Sequence, residues 1–454
     1  MKLDWKKLLK INMDEKQTES RLEKLINQHS EVFEEGLGTF TGPKAKIHVE
    51  VDAVSKFCKA RPVPYAMRGK IEEELKRLQD EGTIESVQFS EWAAPIVPIM
   101  KPDNSIRIFG DYKTTVNQVS ELDNYPIQKA EDLVATLGGG EKFTKLDMSQ
   151  AYQQLQLDHE SKRYTTINTH KGLFQYNRLP NGISSAPGIF QRNMENLSQN
   201  IPYVIARVDD ILVSCANDGD HFKNLEEVFK RLAKAGLQLK KGKCVFIEPQ
   251  VTYLGHSVSK EGIQPMEDKV EAITNAPPPR NVSELKSYLG MINYYQKFLP
   301  NLSSVLALLH RLLNSKTHWH WGKDQQQAFE QSKSFPMSSR LLVHYDNKTE
   351  LILECDASQN GLGAVLSHKM EDCSQHPISF APQTLTKAER NFSNLEREAL
   401  AVIIGQKKFH QYLYDRQFIL ETDHKPLASL FNEKKATPTL ATARFQRWAL
   451  TLAA

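Results

Sequence analysis

The stretch Tyr203-Val204-Ile205-Ala206-Arg207-Val208-Asp209-Asp210-Ile211-Leu212-Val213 decides the fold of this chain. Two adjacent carboxylates interrupt an apolar, β-branched run, which predicts a buried strand on either side of a tight break. Burying one ionised carboxylate is costly, and burying two side by side costs more unless a cation neutralises them. Taken alone, the pair favours a hairpin turn with a solvated tip. A functional interpretation needs further acids and cations at the same place.

The composition is that of an ordinary globular chain. Its 454 residues suggest more than one folded unit, and 40% hydrophobic and 25% charged residues are typical values. No apolar run is long enough to span a bilayer, and the start of the chain lacks the apolar core of a signal peptide, so we expect neither a membrane partner nor secretion. Five scattered cysteines fit a reducing intracellular compartment, cytoplasmic or nuclear, and argue against structural zinc. The net charge of +3 neither requires nor excludes nucleic acid.

The first part of the chain predicts a lead-in, a helix and a basic hairpin. Residues 1–60 are polar and weakly patterned, which is typical of a leader or an extended lead-in, and the proline-containing segment 61–64 marks its end. Apolar residues at helical spacing predict a helix over 70–80. Two strands joined by a turn predict a hairpin with Lys101 and Arg107 near its tip. This basic pair suits either a solvated hairpin or a clamp for an anion such as phosphate.

Three further motifs are weak signals when each is taken alone. Asp147 ends a predicted strand and precedes a helix, where an acid is as typical of an N-cap as of a metal ligand. The Gly/Ser loop 179–187 opens a helix that includes Gln191, and N–H groups at such a helix start can hold phosphate. The lysine run 240–243 is by default a solvated face, but beside a polymer-binding cleft it becomes a phosphate contact.

The last part of the chain carries a second set of acids. The proline run 277–280 is a stiff linker and the best internal boundary. Beyond it, two apolar strands end in Asp356 and Asp423, and a helical segment contains Glu398. Two strand-end aspartates with a helical glutamate are a recurrent way to hold a pair of divalent cations. The alternative is that these are three unrelated surface acids. It is less favoured because both aspartates follow apolar strand runs in the same manner.

Three motifs, in this order, resemble the successive core motifs of a reverse transcriptase. They are Leu146-Asp147 through Tyr152, Leu179-Pro180-Asn181-Gly182 with Ser185-Ala186-Pro187, and Val208-Asp209-Asp210. The sequence of longer segments is similar to the pol polyprotein of Gypsy-type LTR retrotransposons, notably over residues 145–152, 253–256, 353–358 and 422–427. The resemblance covers nearly the whole chain from about Trp5, and the combination of motifs is highly specific. The chain therefore resembles a pol fragment without protease and integrase.

The resemblance implies how the first set of acids would act. Asp147, Asp209 and Asp210 would hold two Mg²⁺ ions, with Mn²⁺ as an alternative; Asp147 and Asp209 are the better direct ligands. One metal lowers the pKa of the primer 3′-hydroxyl, and the other binds the triphosphate and stabilises the leaving pyrophosphate. The implied partners are an RNA template, a DNA or tRNA primer, dNTPs and an RNA–DNA hybrid. Self-association into a homo-oligomer is left open.

The resemblance also implies a set of substrate contacts. Lys101 and Arg107 would grip the triphosphate, and Tyr152 would close off the space that a ribose 2′-hydroxyl needs, favouring deoxynucleotides. The remaining implied contacts are with the incoming nucleotide or template (Asn181, Gly182 and Gln191), with the primer end (Leu254 and Gly255) and, more weakly, with the departing pyrophosphate (Lys243).

The C-terminal part resembles a ribonuclease H domain. Asp356, Glu398 and Asp423 match three of its metal-binding acids, which with two bound metals would activate water to cut the RNA strand of an RNA–DNA hybrid. The hybrid is distinguished by its 2′-hydroxyls and its shape. The family's fourth acid has no match here, since the only acid after Asp423 is Glu433, between Asn432 and two lysines. We expect this domain to be C-terminally incomplete and its nuclease activity weak or absent.

Two residues depart from the polymerase pattern without removing a metal ligand. Arg207 stands where the family usually carries an aromatic residue ahead of the Asp-Asp pair. A cation there could pair with a catalytic acid, displace metal, or point away and meet template phosphate. Asn181 replaces the usual phenylalanine, although other reverse transcriptases have a polar amide there.

We therefore predict an α+β chain with a right-hand polymerase architecture of fingers, palm and thumb. The predicted domains are an N-terminal lead-in (1–60), reverse transcriptase fingers and palm (61–258), thumb and connection helices (259–345), and an incomplete ribonuclease H-like domain (346–454). The leading hypothesis is an RNA-directed DNA polymerase with an attached ribonuclease H-like domain. The alternatives are a catalytically inactive, retroelement-derived nucleic-acid-binding protein and a hybrid-specific nuclease whose polymerase half serves only as a clamp.

Overall fold

A computed structural model describes residues 5–128, 139–300, 302–314, 317–335, 341–430, 444, 445, 447 and 448. The chain forms two compact units, Met1–Val251 and Thr252–Ala454. The proline run 277–280, which the sequence indicated as the best internal boundary, lies inside the second unit. Within the described ranges, no helix has both the length and the apolar character that crossing a bilayer requires.

The first unit contains two sheets and the helices that cover them. Its helices are α1 (Trp5–Gln28), α2 (Tyr65–Asp80), α3 (His159–Lys162), α4 (Ala186–Ser198) and α5 (Asp218–Lys234). Its strands are β1 (Ile84–Val87), β2 (Ala94–Met100), β3 (Ile106–Gly110), β4 (Lys142–Asp147), β5 (Ile167–Thr169), β6 (Gly172–Tyr176), β7 (Val204–Arg207), β8 (Asp210–Cys215) and β9 (Val245–Glu248). The strand orders are β1-β6-β5-β2-β3 in one sheet and β7-β8-β4-β9 in the other.

The sheet β7-β8-β4-β9 forms from the apolar runs around the acids. Strands β7 and β8 are the two halves of the run interrupted by the Asp-Asp pair, and they pair antiparallel as a hairpin, as predicted. Strands β8 and β4 are also antiparallel, with Leu146 opposite Ile211. Both side chains are buried, at 0% and 2% exposed. This apolar core fixes the register that carries the acids at the strand ends.

Helix α5 packs against β8, and local sequence features set both of its ends. The Asn217 side chain accepts a hydrogen bond from the Asp220 backbone N–H and so caps the start of the helix. Gly236 lies just past the helix end with φ +68°, a conformation that favours glycine. The buried face consists of apolar residues three and four apart, including Leu225, Val228, Phe229 and Leu232.

The basic hairpin and helix α2 are present as predicted. Strands β2 and β3 pair antiparallel, with Ile99 opposite Arg107. Helix α2 buries Ile71, Leu75 and Leu78 along one face. The hairpin therefore presents Lys101 and Arg107 as exposed cations, while Ile106 and Ile108 on either side of Arg107 are buried.

The N-terminal segment corrects the expectation of an extended lead-in. Helix α1 covers much of it, and Leu25 and Ile26 near its end are buried. Val32 and Ile47, beyond the helix, are 0% and 3% exposed and belong to the main core of the first unit. The apolar residues that anchor the segment are few and widely spaced, so their pattern was too sparse to stand out among the charged residues.

The second unit begins within strand β10 and contains two further sheets. Its helices are α6 (Glu267–Thr274), α7 (Val282–Tyr294), α8 (Leu302–Arg311), α9 (Lys323–Lys333), α10 (Asn394–Lys408), α11 (His410–Leu413) and α12 (Lys425–Leu430). The strands are β10 (Gln250–Tyr253), β11 (His256–Ser259), β12 (Gly262–Pro265), β13 (Glu350–Ala357), β14 (Gly361–Lys369), β15 (Gln375–Phe380), β16 (Gln383–Thr384) and β17 (Phe418–Glu421). The strand orders are β10-β11-β12 and β15-β14-β13-β17, with β16 also on β14.

The larger sheet of the second unit positions the second set of acids. Strand β13 pairs antiparallel with β14 and parallel with β17, so that the ends of β13 and β17 meet at one edge. Helix α10 packs on β13 and β14 through Gly405. A Cβ atom at Gly405 would lie 2.9 Å from the Cys355 Sγ, so this close approach requires glycine.

Candidate active site

The Asp-Asp pair lies at a strained two-residue turn. Val208 has φ +49°, in the left-handed region that a β-branched residue rarely adopts, at a cost of about 1–3 kcal/mol. Gln191 of α4 holds this turn from both sides. Its amide nitrogen donates to the Ala206 carbonyl at 2.8 Å, and its amide oxygen accepts from the Val208 N–H at 2.7 Å. The helix therefore fixes a backbone conformation that the local sequence disfavours.

The three acids of the first unit come together at the end of this sheet. Asp147 is directly opposite Asp210 in the antiparallel pairing of β4 and β8. Directly opposed residues place their side chains on the same face of a sheet. Asp209 occupies the turn, and its carbonyl accepts the Met148 N–H at 2.9 Å. The structure thus brings Asp147, Asp209 and Asp210, the acids grouped by the resemblance, to the same end of the sheet.

The electrostatics of these acids favour a cation. Partial burial, together with the charges of Asp210 and Asp147, raises the pKa of Asp209 above its ordinary value. Burial also raises the pKa of Asp210, although Lys145 opposes this shift with its amino group 3.3 Å from the Asp210 Oδ1. Removing carboxylates from water and placing them side by side disfavours their ionised forms. A divalent metal at this position would reverse that penalty.

A large cavity of about 850 Å³ opens beside the acids. Asp147 and Asp209 line it, and so do the predicted substrate contacts Lys101, Arg107, Tyr152, Asn181 and Lys243. Arg107 is near enough to lower the pKa of Asp209 in part. The cavity therefore combines acids with cationic side chains, of which Lys101 and Arg107 come from the β2–β3 hairpin.

Tyr152 and Lys243 are placed next to the acids. The Tyr152 ring packs edge-on against Phe190, with centroids 5.5 Å apart. Burial and the charge of Asp209 raise the pKa of Tyr152 to about 12, which keeps its hydroxyl protonated. The Lys243 amino group lies 3.4 Å from the Asp147 Oδ1. Both side chains line the cavity beside Asp147 and Asp209.

Two of the predicted substrate contacts have other placements. Gln191 is 1% exposed, and its amide is used on the hairpin backbone, so it supports the site and does not face the cavity. This corrects its predicted role as a direct contact. Gly182 is exposed outside the cavity lining, and its carbonyl accepts the Asn117 side-chain amide at 2.8 Å. Its role in binding remains a prediction.

Arg207 does not neutralise the acids. It is opposite Asp210 in the β7–β8 pairing. In the described part of the chain it forms no ion pair, and its buried Nε has no hydrogen-bond partner. The interpretation in which Arg207 pairs with a catalytic acid therefore finds no support in this conformation.

Leu254 and Gly255 form the turn between β10 and β11 in the second unit. Both have positive φ, +48° and +69°. Tyrosine hydroxyls from the end of α7 bind both carbonyls of this turn.

The second set of acids converges in the second unit. Asp356, Glu398 and Asp423 each offer an oxygen within 4.8 Å of the other two, and among the described residues this is the one His, Cys, Asp or Glu group with that spacing. Glu398 is 5% exposed, and its Oε2 has no partner. Burial and the charges of Asp356 and Asp423 raise the pKa of Glu398 to about 7. An orphaned buried carboxylate oxygen facing two other acids fits a divalent cation.

Sequence reasoning missed three residues at these sites. Lys145 contacts Asp210, and its position two residues before Asp147 on a strand could have placed it on the same face. Glu354 and Glu421 line a cavity of about 630 Å³ together with Asp356 and Asp423. Both precede a predicted ligand by two residues, which was the available signal.

Comparison with known proteins identifies two families in the chain. Residues 99–258 match the family described as reverse transcriptase (RNA-dependent DNA polymerase). Residues 346–454 match the RNase H-like domain found in reverse transcriptase.

Two relatives are polyproteins of transposable elements. The chain is 30% identical to the retrovirus-related Pol polyprotein from transposon 297 of Drosophila melanogaster, over 99% of this chain and 42% of that protein. It is 31% identical to the Transposon Tf2-3 polyprotein of Schizosaccharomyces pombe, over 78% of this chain and 27% of that protein. The chain thus spans less than half the length of these relatives.

Solved structures share the fold. The foamy viral protease-reverse transcriptase dRH in complex with ds DNA has a TM-score of 0.83 at 22% identity, covering 96% of this chain and 77% of that chain. The foamy viral protease-reverse transcriptase in complex with RNA/DNA hybrid has a TM-score of 0.79 at 23% identity, covering 96% and 59%. These likenesses confirm the predicted mixed helix-and-strand architecture, and the matched relatives are consistent with a Gypsy-type origin. The chain belongs to the reverse transcriptases of retrotransposon pol polyproteins and carries an RNase H-like domain.

Proposed function

We propose that this chain is an RNA-directed DNA polymerase that adds deoxynucleotides to a primer 3′-hydroxyl. One observation carries the proposal: the cavity beside the β7–β8 turn combines Asp147 and Asp209 with the cationic side chains of Lys101, Arg107 and Lys243. Phosphoryl transfer needs positioning and charge stabilisation more than covalent chemistry from the protein. A cavity with acids for metal and cations for phosphate supplies both.

Reverse transcriptases and RNase H-like domains generally depend on divalent metal ions. In this chain Asp147 and Asp209 would hold Mg²⁺, with Asp210 in support. A bound pair of such ions supplies an activated 3′-hydroxyl and stabilises charge on the leaving pyrophosphate. Asp209 and Asp210 fit this role because their raised pKa values reflect charge that a cation would neutralise. Oxygen-only ligands are also those that Mg²⁺ prefers.

The cationic residues orient the nucleotide. Lys101 and Arg107 bind the triphosphate from the hairpin, and Lys243 lies against the acids where pyrophosphate departs. Tyr152 fills the space next to the sugar and so favours deoxyribose over ribose. Gln191 holds the turn that carries Asp209, which keeps the acid in place during each addition.

The nucleic acid partners follow from this chemistry. A primer annealed to an RNA template supplies the 3′-hydroxyl and the coding strand. The foamy viral relatives of known structure are complexes with ds DNA and with RNA/DNA hybrid, and this chain shares their fold. We expect binding to weaken steeply with salt, because phosphate contacts release counterions.

A second activity is favoured by the acids of the second unit. Asp356, Glu398 and Asp423 are spaced to hold divalent metal, and the buried Glu398 Oε2 has no hydrogen-bond partner in the described structure. We infer cleavage of the RNA strand of a hybrid at this site. The expectation that this activity is weak remains a prediction, and Glu433 lies outside the described residues.

Primer extension tests the proposed polymerase. The chain and its Asp209→Asn variant are incubated with an RNA template, a DNA primer, dNTPs and Mg²⁺. We expect the unmodified chain to extend the primer and the Asp209→Asn variant not to extend it. If neither protein extends while both bind primer–template, the chain is a nucleic-acid-binding protein without polymerase activity.

A further inference from the structure

A short antiparallel backbone ladder joins the end of strand β4 to the segment that precedes Lys243. The Ser149 N–H donates to the Gln238 carbonyl at 3.0 Å, and the Lys240 N–H donates to the Asp147 carbonyl at 2.9 Å. Beyond the ladder, the Lys243 amino group lies 3.4 Å from the Asp147 Oδ1. The ladder therefore sets how the backbone that carries the acid lies relative to the backbone that carries the lysine.

The side-chain amide of Gln154 closes this ladder. Gln154 is 0% exposed. Its Nε2 donates to the Ser149 carbonyl at 2.6 Å and to the Gln238 carbonyl at 2.9 Å, and its Oε1 accepts the Gln238 N–H at 2.7 Å. The turn that follows Ser149 is strained, because Gln150 has φ +48°, in the left-handed region. The amide thus holds both partner segments and a backbone conformation that side chains disfavour.

The N-terminal segment covers this amide. A Cβ atom at Gly38 would lie 2.4 Å from the Gln154 Oε1 and 2.8 Å from the Gly236 carbonyl oxygen, so the segment passes directly over the amide. The Phe40 N–H donates to the Gln154 carbonyl at 2.9 Å, and the Arg178 guanidinium donates to the Gly38 carbonyl at 2.8 Å. Because the amide is shielded from water, losing its hydrogen bonds leaves buried backbone groups unpaired, which is costly.

We propose that Gln154 is a positioning residue that holds Lys243 where pyrophosphate leaves the polymerase site. Gln153, Lys240 and Lys243 line the cavity, but Gln154 is not part of its lining in the described structure. Gln154 therefore acts only through the backbone that it binds. The inference rests on the proposed polymerase function, which makes pyrophosphate the product that departs past Lys243. Without the amide the ladder loosens, and Lys243 faces the departing pyrophosphate for a smaller fraction of the time.

The variant Gln154→Met tests the amide, because methionine fills the same space without its hydrogen bonds. The probe is inorganic pyrophosphate in pyrophosphorolysis of a primer–template, the reverse of extension. We expect the KM for pyrophosphate to rise about tenfold and the primer–template Kd, measured by anisotropy, to change less than about twofold.

Asn224→Leu is the matched control for this variant. It also removes a buried amide, whose Nδ2 donates to the Pro202 carbonyl at 2.8 Å and contacts the Cys215 Sγ. Cys215 is the last residue of β8, at the opposite end of the strand from Asp210. The control should therefore lose stability and leave the KM for pyrophosphate unchanged.

A double variant separates positioning from a general loss of stability. In Lys243→Ala the positioned side chain is absent, so adding Gln154→Met should change the KM for pyrophosphate by less than about twofold. Gly38→Ala keeps the amide but displaces its oxygen, and should raise this KM in the same direction. It carries the test if Gln154→Met does not fold. Its control, Gly69→Ala, adds a Cβ that meets no atom within 4 Å and should have no effect.

Hydrogen exchange measures the ladder without catalysis. In Gln154→Met, backbone amides in peptides covering 147–150 and 236–243 should exchange at least about fivefold faster than in the unmodified chain. In Asn224→Leu, exchange in both peptides should stay unchanged. A joint increase in the two peptides shows that the amide holds both segments.

Three results would overturn the inference. The first is an unchanged KM for pyrophosphate in a folded Gln154→Met variant, and the second is an equal rise in KM with and without Lys243. The third is unchanged exchange in both peptides. If the unmodified chain neither extends primers nor reverses extension, the proposed function fails, while the exchange result still decides whether Gln154 holds the ladder.

Discussion

The two acidic sites of this chain differ in whether lysines lie close enough to offset their negative charge. In the first unit lysines lie among the acids, with Lys145 at 3.3 Å from Asp210 and Lys243 at 3.4 Å from Asp147. In the second unit Asp356, Glu398 and Asp423 converge within 4.8 Å. Across the ranges that the structure describes, no lysine or arginine forms an ion pair with any of these three.

This difference indicates different dependence on metal. Lysines lower the repulsion among the acids of the first unit, so we expect that site to keep its geometry before metal binds. In the second unit the charge of Arg397 and a backbone hydrogen bond from Ala357 offset the pKa rise of Glu398 only in part. We therefore expect pH and metal to affect the stability of the second unit more than that of the first.

The largest expected effect is the loss of primer extension in Asp147→Asn. The variant removes one of the acids that would hold the metal pair, and we expect the extension rate to fall by at least ~10³-fold. Primer–template affinity, measured by anisotropy, should change by less than about threefold, because the contacts to phosphate remain. Asp80→Asn, at the exposed end of α2, is the control and should extend normally. Full activity in Asp147→Asn would contradict the assignment.

The next effect concerns the strained turn of the first site. Gln191→Leu removes both hydrogen bonds that hold Ala206 and Val208, and kcat for extension should fall about tenfold. The KM for dNTP should change less, since Gln191 does not line the cavity. Gln191→Glu keeps an acceptor for the Val208 N–H but loses the donor and faces Glu195, so its kcat should be intermediate. A large rise in KM with unchanged kcat would instead restore Gln191 as a substrate contact.

A pH titration of stability sharpens the comparison at the second site. The pKa of Glu398 is raised from an ordinary 4.5 to about 7, so the folded state binds this proton more tightly than the unfolded state. The free energy of unfolding in metal-free buffer should therefore fall by roughly 1–3 kcal/mol as pH rises from 4.5 to 7 and then level off. Adding Mg²⁺ should restore the lost free energy of unfolding. If denaturant unfolding of Glu398→Gln shows the same decrease in unfolding free energy with pH, Glu398 is not the cause of that decrease.

The smallest expected effect is that of Arg207→Tyr, which restores the aromatic residue usual in the family. Since Arg207 forms no ion pair with Asp209 or Asp210 in the described structure, the extension rate should change by no more than about threefold. Steady-state extension on an RNA template measures this. A gain of ~10²-fold would show that the arginine inhibits the acids in solution.

Much of the site could be predicted because it follows from short-range pattern. Asp147, Asp210 and Asp356 lie at the ends of apolar strands, a placement that the alternation of apolar residues indicates. The resemblance to reverse transcriptases, and not the local pattern, grouped Asp147 with the Asp-Asp pair. The N-cap of α5 at Asn217 and the glycine after its end are equally local features.

The rest depends on tertiary contacts that no local pattern reveals. Gln191 acts on a turn 15–17 residues away in the chain, and its burial became visible only in the packed structure. The tyrosines of α7 reach a turn 40 residues earlier. Helix α1 was missed because its described anchoring residues are few, so that its stability comes from packing on the core and not from its own periodicity.

The most direct test measures primer extension and hybrid cleavage in parallel on the unmodified chain, Asp209→Asn and Asp423→Asn. We predict that Asp209→Asn loses extension and keeps whatever hybrid cleavage the unmodified chain has. Asp423→Asn should lose that cleavage and keep extension. Extension that survives in Asp209→Asn, or that is lost in Asp423→Asn, would contradict the assignment of polymerisation to the acids of the first unit.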